Sequence, residues 1–344
     1  MIMESSKSVS SSNDGISPAK WFLKPTKLDP ERIPVEPRLA FMHSTITPFT
    51  KVSAEAYDFG NRRWYNLSAE RVIADEEWIE REIRGYIDCW PEPFNAISIH
   101  SDGNVTVEFK EQVGREIGGM VPYHGLLETT PLNSIHKRKY LSGRVDTCVW
   151  KENRCAYKCI DFTEDVEPMQ REIQVRESLR VTASNLEQVG VAPILAVVID
   201  PTSRFVNGIV LPLYGKSLEM VAQERGSINI PCLRSLLETV MYLNGVGISH
   251  GDICDRNVVV KPSNSGKSSD DTSTLILVDF GEVAPSYKGD IDATADLFLW
   301  CAKSLEWTEV GLTLIKDAVA CLRDRNIEGA IACLVDADCS ILQT

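Results

Sequence analysis

The sequence predicts an α+β protein in which a strand-rich segment is followed by a helical one, with a smaller α/β segment before both. Three patterns support this prediction. Residues 138–213 alternate apolar and polar side chains in short runs, and residues 217–335 repeat apolar side chains at helical spacing. Residues 96–109 alternate on both sides of a turn that contains Gly103, which indicates a hairpin. The 344 residues suffice for a large two-part domain with a smaller one attached.

The N-terminal part divides into a tail and an extension. Residues 1–18 are rich in serine and lack aromatic side chains, which predicts a disordered tail. Residues 19–134 are interpreted as an α/β extension with a helix over 68–90, for which Ser68 is the expected cap. The hairpin strands are expected at 96–99 and 105–109. Two interpretations of the extension stay open, an accessory that packs on the main domain and a separate binding module.

The rest of the chain predicts an ordered series of elements. Strands are expected at 139–142, 146–151 and 155–161, then a helix at 168–180, then strands at 194–199 and 208–213. Helices are expected at 217–225, 231–246, 292–305, 308–323 and 328–335. A polar loop at 262–274 separates two short apolar strands.

Composition excludes several classes of function. The formal net charge of −13 repels polyanions, so nucleic acid is not expected as the main partner. No apolar run is long enough for a membrane span, and the polar N-terminus does not resemble a signal peptide. The ten cysteines are scattered without a CxxC pair, which argues against a zinc site and favours a reducing, cytoplasmic location.

Two short strings near the C-terminal end point to chemistry. The first is HGDICDRN, which begins at His250 and contains Asp252 and Asn257. The second is Asp-Phe-Gly, which begins at Asp279 directly after the apolar run 275–278. A base, an amide five residues later and an Asp-Phe-Gly after a strand form an arrangement that serves phosphoryl transfer from ATP. At these residues the chain resembles the protein-kinase-like superfamily.

The resemblance covers about residues 135–340 and implies a bilobal fold. Residues 135–213 would form a β-rich N-lobe, and residues 214–344 a truncated helical C-lobe. It also implies ATP and Mg²⁺ as cofactors. Asp252 would be the catalytic base, while Asn257 and Asp279 would supply oxygen ligands to the metal.

On the strand-rich side, the resemblance assigns a lysine and its partner. Lys158 lies in a Cys-Ala-Tyr-Lys string and would neutralise the α- and β-phosphates, with Ala156 against the adenine. Glu172 is the better candidate for the carboxylate that orients Lys158, and Glu177 is the alternative.

The remaining implied contacts surround the nucleotide. Leu211 would lie behind the base, and the segment containing Leu213 and Tyr214 would offer main-chain groups to the adenine, with Tyr214 donating its N–H. The glycine-rich phosphate loop is degraded. If Val149 takes the family's strand valine position, Gly143 is the only glycine of the loop and stands out of register. The residues of this loop implied at the nucleotide are Ser142, Gly143, Arg144 and Val149.

Departures from the family pattern narrow the range of expected functions. Gly251 replaces the arginine that receives an activation-loop phosphate in many protein kinases. Only residues 282–289 separate Asp-Phe-Gly from the next helix, and no Ala-Pro-Glu follows. This shortness resembles antibiotic and choline phosphotransferases and RIO-type atypical kinases. One aspartate of that helix is expected to brace the catalytic loop, and the sequence leaves three candidates open: Asp290, Asp292 and Asp296.

The expected function is an ATP- and Mg²⁺-dependent phosphotransferase that acts on a hydroxyl of a small molecule or of a protein side chain. A pseudokinase that serves as a binding scaffold is the first alternative. An enzyme of the same fold that uses ATP to activate a carboxylate is the second. The sequence does not indicate the oligomeric state.

Overall fold

The computed structural model describes residues 21–22, 39–47, 51–60, 62–70, 95–108, 117–261 and 274–340. The chain divides into two compact units, residues 1–115 with 140–143, and residues 116–139 with 144–344. The fold is mixed α+β, as the sequence predicts. The expected tail at 1–18 and most of the expected helix at 68–90 lie outside the described residues.

The first unit contains a six-stranded sheet in the order β1-β6-β5-β4-β3-β2. Neighbouring strands pair antiparallel except β4 and β5, which are parallel. One face buries small and branched side chains that include Ala56, Leu67 and Val107. The strands are β1 (Trp21–Phe22), β2 (Leu39–Thr47), β3 (Lys51–Asp58), β4 (Arg63–Ala69), β5 (Ala96–Ile99) and β6 (Val105–Glu108).

This sheet confirms the predicted hairpin and corrects the predicted helix start. β5 and β6 pair antiparallel around the turn at Gly103, as expected. Ser68 is not a helix cap, because it lies within β4 and its hydroxyl meets that of Ser98 at 2.7 Å. The alternation of buried side chains along Arg63–Ala69 follows the two-residue period of a strand, which the sequence analysis overlooked.

Another six-stranded sheet has the order β7-β11-β12-β10-β9-β8. Its first strand comes from the stretch that the sequence analysis assigned to the extension, and it pairs parallel with β11. The other strands lie close to their predicted positions. They are β7 (Thr129–Pro131), β8 (His136–Ser142), β9 (Val145–Trp150), β10 (Asn153–Cys159), β11 (Ala196–Ile199) and β12 (Val206–Pro212).

One long helix, α1 (Val166–Thr182), follows β10 and packs on this sheet. Its buried side chains recur at 169, 172, 173, 176 and 179, the spacing of a single helical face. Met169 and Ile173 share an apolar cluster with Ile209 of β12 and Ala156 of β10. The helix therefore presents Glu172 and Arg176 toward the sheet from the same buried face.

The remaining described elements are mainly helical. Ser217, Asn229 and Thr308 cap the N-termini of three helices by accepting backbone N–H bonds, so these helices begin where side-chain oxygens replace missing backbone partners. A two-stranded antiparallel sheet joins β13 (Val258–Lys261) to β14 (Thr274–Leu277). The helices are α2 (Leu218–Gln223), α3 (Ile230–Gly245), α4 (Asp290–Ser304), α5 (Glu309–Arg323) and α6 (Ile327–Ser340).

A single apolar cluster holds these helices and the small sheet together. It includes Leu237 of α3, Leu277 of β14 and Phe298 of α4, all with essentially no exposed surface. Phe280, directly after β14, belongs to the same cluster and is fully buried. Because Phe280 is anchored in this core, the residue before it has a fixed position at the end of the strand.

Candidate functional site

The centre of the candidate site is a buried ammonium group between two carboxylates. Lys158 Nζ donates to Glu172 Oε2 at 2.7 Å and to Asp279 Oδ1 at 2.5 Å. The Lys158 side chain is 10% exposed and that of Glu172 is fully buried. β10 supplies the lysine, α1 the glutamate and the segment after β14 the aspartate, so three separate elements converge here. Glu172, rather than the alternative Glu177, is the partner of the lysine.

A second cation completes this network. Arg176 lies one helical turn after Glu172, and its Nη1 is 3.1 Å from Glu172 Oε1, close enough for charge pairing but not aligned for a hydrogen bond. Its Nε donates to the carbonyl of Ala192 at 2.7 Å, and its guanidinium lies 4.7 Å from the ring centroid of Phe280. Two cations thus balance two carboxylates in a region with little solvent.

The pKa values follow from these contacts. Burial alone would lower the pKa of the Lys158 ammonium, but the charges of Glu172 and Asp279 outweigh it and raise that pKa above its usual value. Burial would likewise raise the pKa of the Asp279 carboxyl, but the charge of Lys158 and its hydrogen bond hold that pKa below its usual range. Both groups are therefore charged at neutral pH.

The loop after α3 holds the predicted base and its neighbouring amide. Asn257 Nδ2 donates to the Asp252 carbonyl at 2.9 Å and to Asp252 Oδ2 at 2.8 Å. The five-residue spacing therefore brings both side chains together, as the sequence predicts. Burial raises the pKa of Asp252, with repulsion from Asp279 and Glu282 adding to it and the bond from Asn257 opposing it. A raised carboxyl pKa suits a group that accepts a proton.

His250 fixes the start of this loop. Its Nδ1 accepts from the backbone N–H of Asp252 at 3.2 Å, so its Nε2, 2.8 Å from the carbonyl of Val278, is the donor to that carbonyl. Both ring nitrogens of a neutral imidazole are thereby used. Burial lowers the pKa of His250 from 6.5 to about 4, so the ring is neutral at pH 7. The ring also packs against Phe280, with centroids 4.3 Å apart.

The two predicted metal ligands lie at adjacent ends of the small sheet. The backbone N–H of Val278 donates to the carbonyl of Asn257 at 3.0 Å, which places Asn257 beside the residue that precedes Asp279. Asp279 has a left-handed φ of 59°, so the chain turns sharply at this point and releases the side chain from the strand direction. The strand end and the loop therefore present Asp279 and Asn257 in the same neighbourhood.

The donor set of this neighbourhood fits Mg²⁺. Lys158 and the backbone N–H of Gly281 both bond to Asp279 Oδ1, and Asn257 uses its Nδ2 for Asp252. The remaining donors are a carboxylate and an amide oxygen, hard ligands of the kind Mg²⁺ prefers, and water and phosphate oxygens ordinarily complete such a site. Among the described residues, no three His, Cys, Asp or Glu side chains cluster as a metal site.

Asp290 is the aspartate that braces the loop containing His250 and Asp252. Its Oδ2 accepts from the backbone N–H of His250 at 2.9 Å, and its Oδ1 accepts from that of Gly251 at 3.3 Å. Asp292 and Asp296, the other candidates, face Arg323 and Arg325 instead. Asp290 lies in the first turn of α4. The short segment before this helix therefore determines how closely the Asp290 side chain approaches the loop.

The strand register corrects the predicted position of one valine. Val149 pairs with Arg154, at the outer end of the β9–β10 ladder, whereas Val145 pairs with Lys158. Val145 also packs against the apolar cluster that contains Ala156 and Leu211, and Val149 does not belong to that cluster. The register and the cluster therefore favour Val145 over the expected Val149, four positions later, for the strand valine of the resemblance.

This correction changes how the turn before β9 is interpreted. In the spacing G-x-G-x-x-G-x-V, a valine at 145 places the third glycine at 143. Gly143 then stands in register and not out of it, and it has a left-handed φ of 45°. Ser142 is the last residue of β8, directly before this turn.

Arg144, expected near phosphate, is engaged in ion pairs. Its guanidinium bonds to Asp165, and its Nη2 donates to Glu282 Oε1 at 2.9 Å. Asp165 also accepts the backbone N–H groups of Asp161 and Phe162 at 3.0 Å, so it is held in place. Glu282 is half exposed, which makes its bond to Arg144 the weaker and more exchangeable of the two.

The predicted adenine side is apolar. Ala156 and Leu211 are directly paired across β10 and β12, each 7% exposed, and Leu213 packs against the same cluster. The Tyr214 hydroxyl donates to Glu187 Oε1 at 2.8 Å, and Lys261 Nζ donates to Glu187 Oε2 at 2.5 Å. Glu187 thereby ties the segment after β12 to the end of β13.

A cavity of about 530 Å³ lies near the segment that follows β12 and the start of α3. Its walls include Gly215, Ile228, Cys232 and Val260. None of the predicted site residues lines it, so it is distinct from the space around Lys158.

Sequence reasoning missed three residues that hold the site together. Arg176 follows Glu172 at the i,i+4 spacing of a helical ion pair, a signal that was present in the sequence. Arg171 donates to the carbonyls of Glu282 and Ser249, and nothing in its local sequence indicates these distant partners. Glu187 lies in a short turn before β11, and its role depends on tertiary contacts alone.

Comparison with known proteins adds no relative. No protein-family model matches the chain, and no curated protein matches it. Within the described part of the chain, no helix combines the length and the apolar character needed to cross a bilayer. The functional assignment therefore depends on the geometry of the site.

Proposed function

We propose that the second unit is a bilobal, kinase-like domain that transfers the γ-phosphate of ATP to a hydroxyl group. The sheet β7–β12 with α1 would be the smaller lobe, and α2–α6 with β13 and β14 the larger. The observation that carries this proposal is the double contact of Lys158, which bonds to Glu172 at 2.7 Å and to Asp279 at 2.5 Å. A protein kinase requires this lysine–glutamate pair and the nearby aspartate together for catalysis.

ATP would bind between the apolar adenine side and this charged network. Ala156, Leu211 and the corrected Val145 would contact the base, since they share one apolar cluster. Lys158 would exchange its contact with Asp279 for the α- and β-phosphates while keeping Glu172. The turn at Gly143 would approach the phosphates through backbone N–H groups, because a residue without a side chain permits close contact.

The acceptor hydroxyl would lie beside Asp252. Its oxygen attacks the γ-phosphorus, the bond from that phosphorus to the β–γ bridging oxygen breaks, and ADP leaves with the electron pair. The hydroxyl proton passes to Asp252, whose pKa burial has raised. Mg²⁺, when bound through Asn257 and Asp279, supplies charge neutralisation for the phosphates.

The short segment after Gly281 favours a compact acceptor. The backbone N–H of Ala284 donates to the Gly251 carbonyl at 3.1 Å, and the Tyr287 hydroxyl bonds to Asp290. The segment is thus attached to the loop at Gly251 and to Asp290 at the start of α4, and it offers little surface for a peptide. We therefore favour a small-molecule hydroxyl over a protein side chain. We place this activity in the cytoplasm, because the ten cysteines of the sequence are scattered without a CxxC pair, a usage that suits a reducing compartment.

A screen of γ-labelled ATP against metabolite and protein pools tests the proposal. The wild-type chain should label an acceptor, and Asp252→Asn should lower turnover by roughly 10²–10⁴-fold with an unchanged KM for ATP, since this residue acts on the acceptor. Asp255→Asn, a change of the same kind in the same loop, is the matched control and should remain active.

Nucleotide binding distinguishes the alternatives. ATP with Mg²⁺ should raise the melting temperature of the wild type, and Asp279→Ala should abolish that shift. Absence of a shift with any nucleotide would overturn the proposal in favour of a scaffold. Binding with release of AMP in place of ADP would indicate carboxylate activation.

A further inference from the structure

A segment before β7 contacts helix α1. This segment, residues 117–128, is called the strap below. It lies outside the part of the chain to which the kinase resemblance extends, and no role in the proposed reaction has been given to it. Its main contacts to the helix are made by Tyr123 and Leu126.

Tyr123 makes a specific polar contact with α1. Its hydroxyl donates to Glu177 Oε1 at 2.6 Å, and the backbone N–H of Leu126 donates to the same oxygen at 2.8 Å. The backbone N–H of Leu127 in turn donates to the Tyr123 hydroxyl at 2.8 Å. Burial and the hydrogen bond to Glu177 raise the pKa of the Tyr123 hydroxyl, which keeps the proton on the tyrosine, the donor of this bond.

The apolar part of Tyr123 reinforces this contact. Its ring is 8% exposed and shares an apolar cluster with Leu127 of the strap and with Met169 and Ile173 of the helix. Ile173 is the residue next to Glu172. The strap therefore packs on the same helical turn that carries the partner of Lys158, and it bonds the helix one turn further on at Glu177.

The strap itself is anchored independently of the tyrosine side chain. Arg204 donates from Nε and Nη2 to the Tyr123 carbonyl at 3.0 and 2.8 Å, and the Tyr123 N–H donates to the Arg204 carbonyl at 3.0 Å. The backbone N–H of Gly118 donates to the Thr163 hydroxyl at 3.0 Å. Loss of the Tyr123 hydroxyl would thus weaken the attachment of the helix, to which the Leu126 N–H still donates, without releasing the strap.

We propose that Tyr123 is a positioning residue, which holds α1 through Glu177 in the orientation that brings Glu172 to Lys158. The effect on the helix stands on the contacts alone, and its consequence for ATP turnover rests on the proposed function. When the Tyr123–Glu177 bond is absent, α1 moves more freely and Lys158 loses its fixed partner for part of the time. The lysine then aligns the phosphates less well.

The test compares four variants of the full chain. Tyr123→Phe removes the hydroxyl and keeps the ring, and Glu177→Ala removes the acceptor from the helix side. Glu177→Gln keeps an oxygen that can accept both bonds and is the conservative rescue. Ser178→Ala is the matched control, because Ser178 is exposed on the same helix and its hydroxyl bonds only to Gln174 among the contacts described for it.

The first readout needs no nucleotide. Acylation of the Lys158 amine by a soluble ester, followed by mass spectrometry, reports how long that amine is exposed and unpaired. Tyr123→Phe, which loses one hydrogen bond to a charged group, should raise the labelling rate of Lys158 by about tenfold, and Glu177→Ala, which loses two, should raise it by at least as much. Glu177→Gln and Ser178→Ala should stay near the wild-type rate. Hydrogen exchange of α1 should rise in the same two variants.

The second readout is the steady-state rate with ATP. The two disruptive variants should raise the KM for ATP and lower kcat, whereas Glu177→Gln should recover both. Wild-type labelling and exchange rates in both Tyr123→Phe and Glu177→Ala would overturn the positioning role. If Tyr123→Phe does not fold, Glu177→Ala decides the question. Failure of the wild type to bind ATP would instead contradict the proposed function and leave the labelling result fully interpretable.

Discussion

Lys158 and Asp279 are separated by 121 positions in the sequence, yet the Lys158 Nζ lies 2.5 Å from Asp279 Oδ1. A strand of the six-stranded sheet and the end of a strand in the small sheet must both be correctly placed for this contact to form. The Lys158 side chain is only 10% exposed, so its charge depends on the carboxylates beside it, of which Asp279 is one. The contact therefore links the stability of the fold to the chemistry of the site.

Loss of the Lys158 ammonium should destabilise the fold. Lys158→Met leaves the Glu172 and Asp279 carboxylates with one fewer cation and should reduce the free energy of unfolding by about 3 kcal/mol. In a double-mutant cycle, Lys158→Met with Glu172→Gln should lose less than the sum of the single losses, because the two residues interact directly. Urea unfolding at neutral pH measures all three values.

The matched control is Lys151→Met. Lys151 pairs with Glu128 at 2.5 Å, but both side chains are about half exposed, at 57% and 49%. Such a surface pair contributes only about 0–1 kcal/mol. Equal losses for Lys158→Met and Lys151→Met would contradict the buried network.

The sequence predicted much of this site because its chemistry is recorded in short strings. Asp252, Asn257 and Asp279 occupy fixed places beside apolar strands, and a strand next to a loop leaves few possible arrangements. Lys158 and Glu172 were also found, since a strand lysine and a helix with one buried face define which carboxylate can reach it. Features of this kind depend on residues that are close together in the sequence, so they can be predicted without knowledge of the tertiary structure.

Other parts were missed for physical reasons. The turn before β9 contains one glycine, so its spacing gives no second reference point, and the sequence points to Val149 where the ladder places Val145 opposite Lys158. Ser68 was interpreted as a cap because helical spacing follows it, although its own neighbours alternate as a strand. β7 has only three residues and depends on a partner far along the chain, which no local pattern reveals.

Asp290 should be essential for the stability of the catalytic loop. Asp290→Ala leaves the backbone N–H groups of His250 and Gly251 without their acceptor in a buried setting. The free energy of unfolding should fall by roughly 2–3 kcal/mol, since each unsatisfied buried donor costs about 1–3 kcal/mol. Hydrogen exchange at Gly251 should accelerate in parallel.

Asp296→Ala is the control on the same helix. The Asp296 side chain is 68% exposed and pairs with Arg323 at the surface. Its removal should change the stability by no more than about 0.5 kcal/mol. If Asp290→Ala lowers the free energy of unfolding no more than Asp296→Ala does, the bonds from His250 and Gly251 to Asp290 do not stabilise the fold.

Acid should destabilise the fold through His250. Its folded-state pKa is depressed from 6.5 to about 4, so the unfolded chain binds a proton more readily at any pH between these values. The stabilisation that comes from the neutral His250 ring is complete above pH 6.5, and it is lost as the pH falls toward 4. Between pH 7.5 and pH 5 the loss amounts to about 2 kcal/mol.

Chemical unfolding of the wild type and of His250→Asn at several pH values measures this effect. The variant should be less stable at pH 7.5 because it loses the bond to Val278, and its stability should change less with pH. Comparison at each pH cancels the titration of Asp279 and the other carboxylates near the ring. His136→Asn, a substitution of an exposed histidine, should retain the full wild-type pH dependence. A His250→Asn curve parallel to that of the wild type would refute the assignment.

Gly208 should be required for the position of Lys158. It lies opposite Cys159 in the β10–β12 ladder with a φ of +156°, and a Cβ atom there would be 2.2 Å from the Lys158 carbonyl oxygen. Because the obstructing atom belongs to the backbone, β10 must shift to relieve the clash. Gly208→Ala should therefore destabilise the protein by about 1–3 kcal/mol, the usual cost of overpacking. It should also lower ATP turnover, since the shift moves the strand that carries Lys158.

Gly245→Ala distinguishes this effect from a general response to alanine. Gly245 is the last residue of α3, and a Cβ atom there would meet nothing within 4 Å. Alanine is the better helix former, so this change should leave stability unaltered or raise it by up to about 1 kcal/mol. Urea unfolding and turnover of the two variants side by side provide the measurement. Wild-type stability of Gly208→Ala would contradict this prediction. It would show that β10 and β12 accommodate the Cβ atom without displacing Lys158.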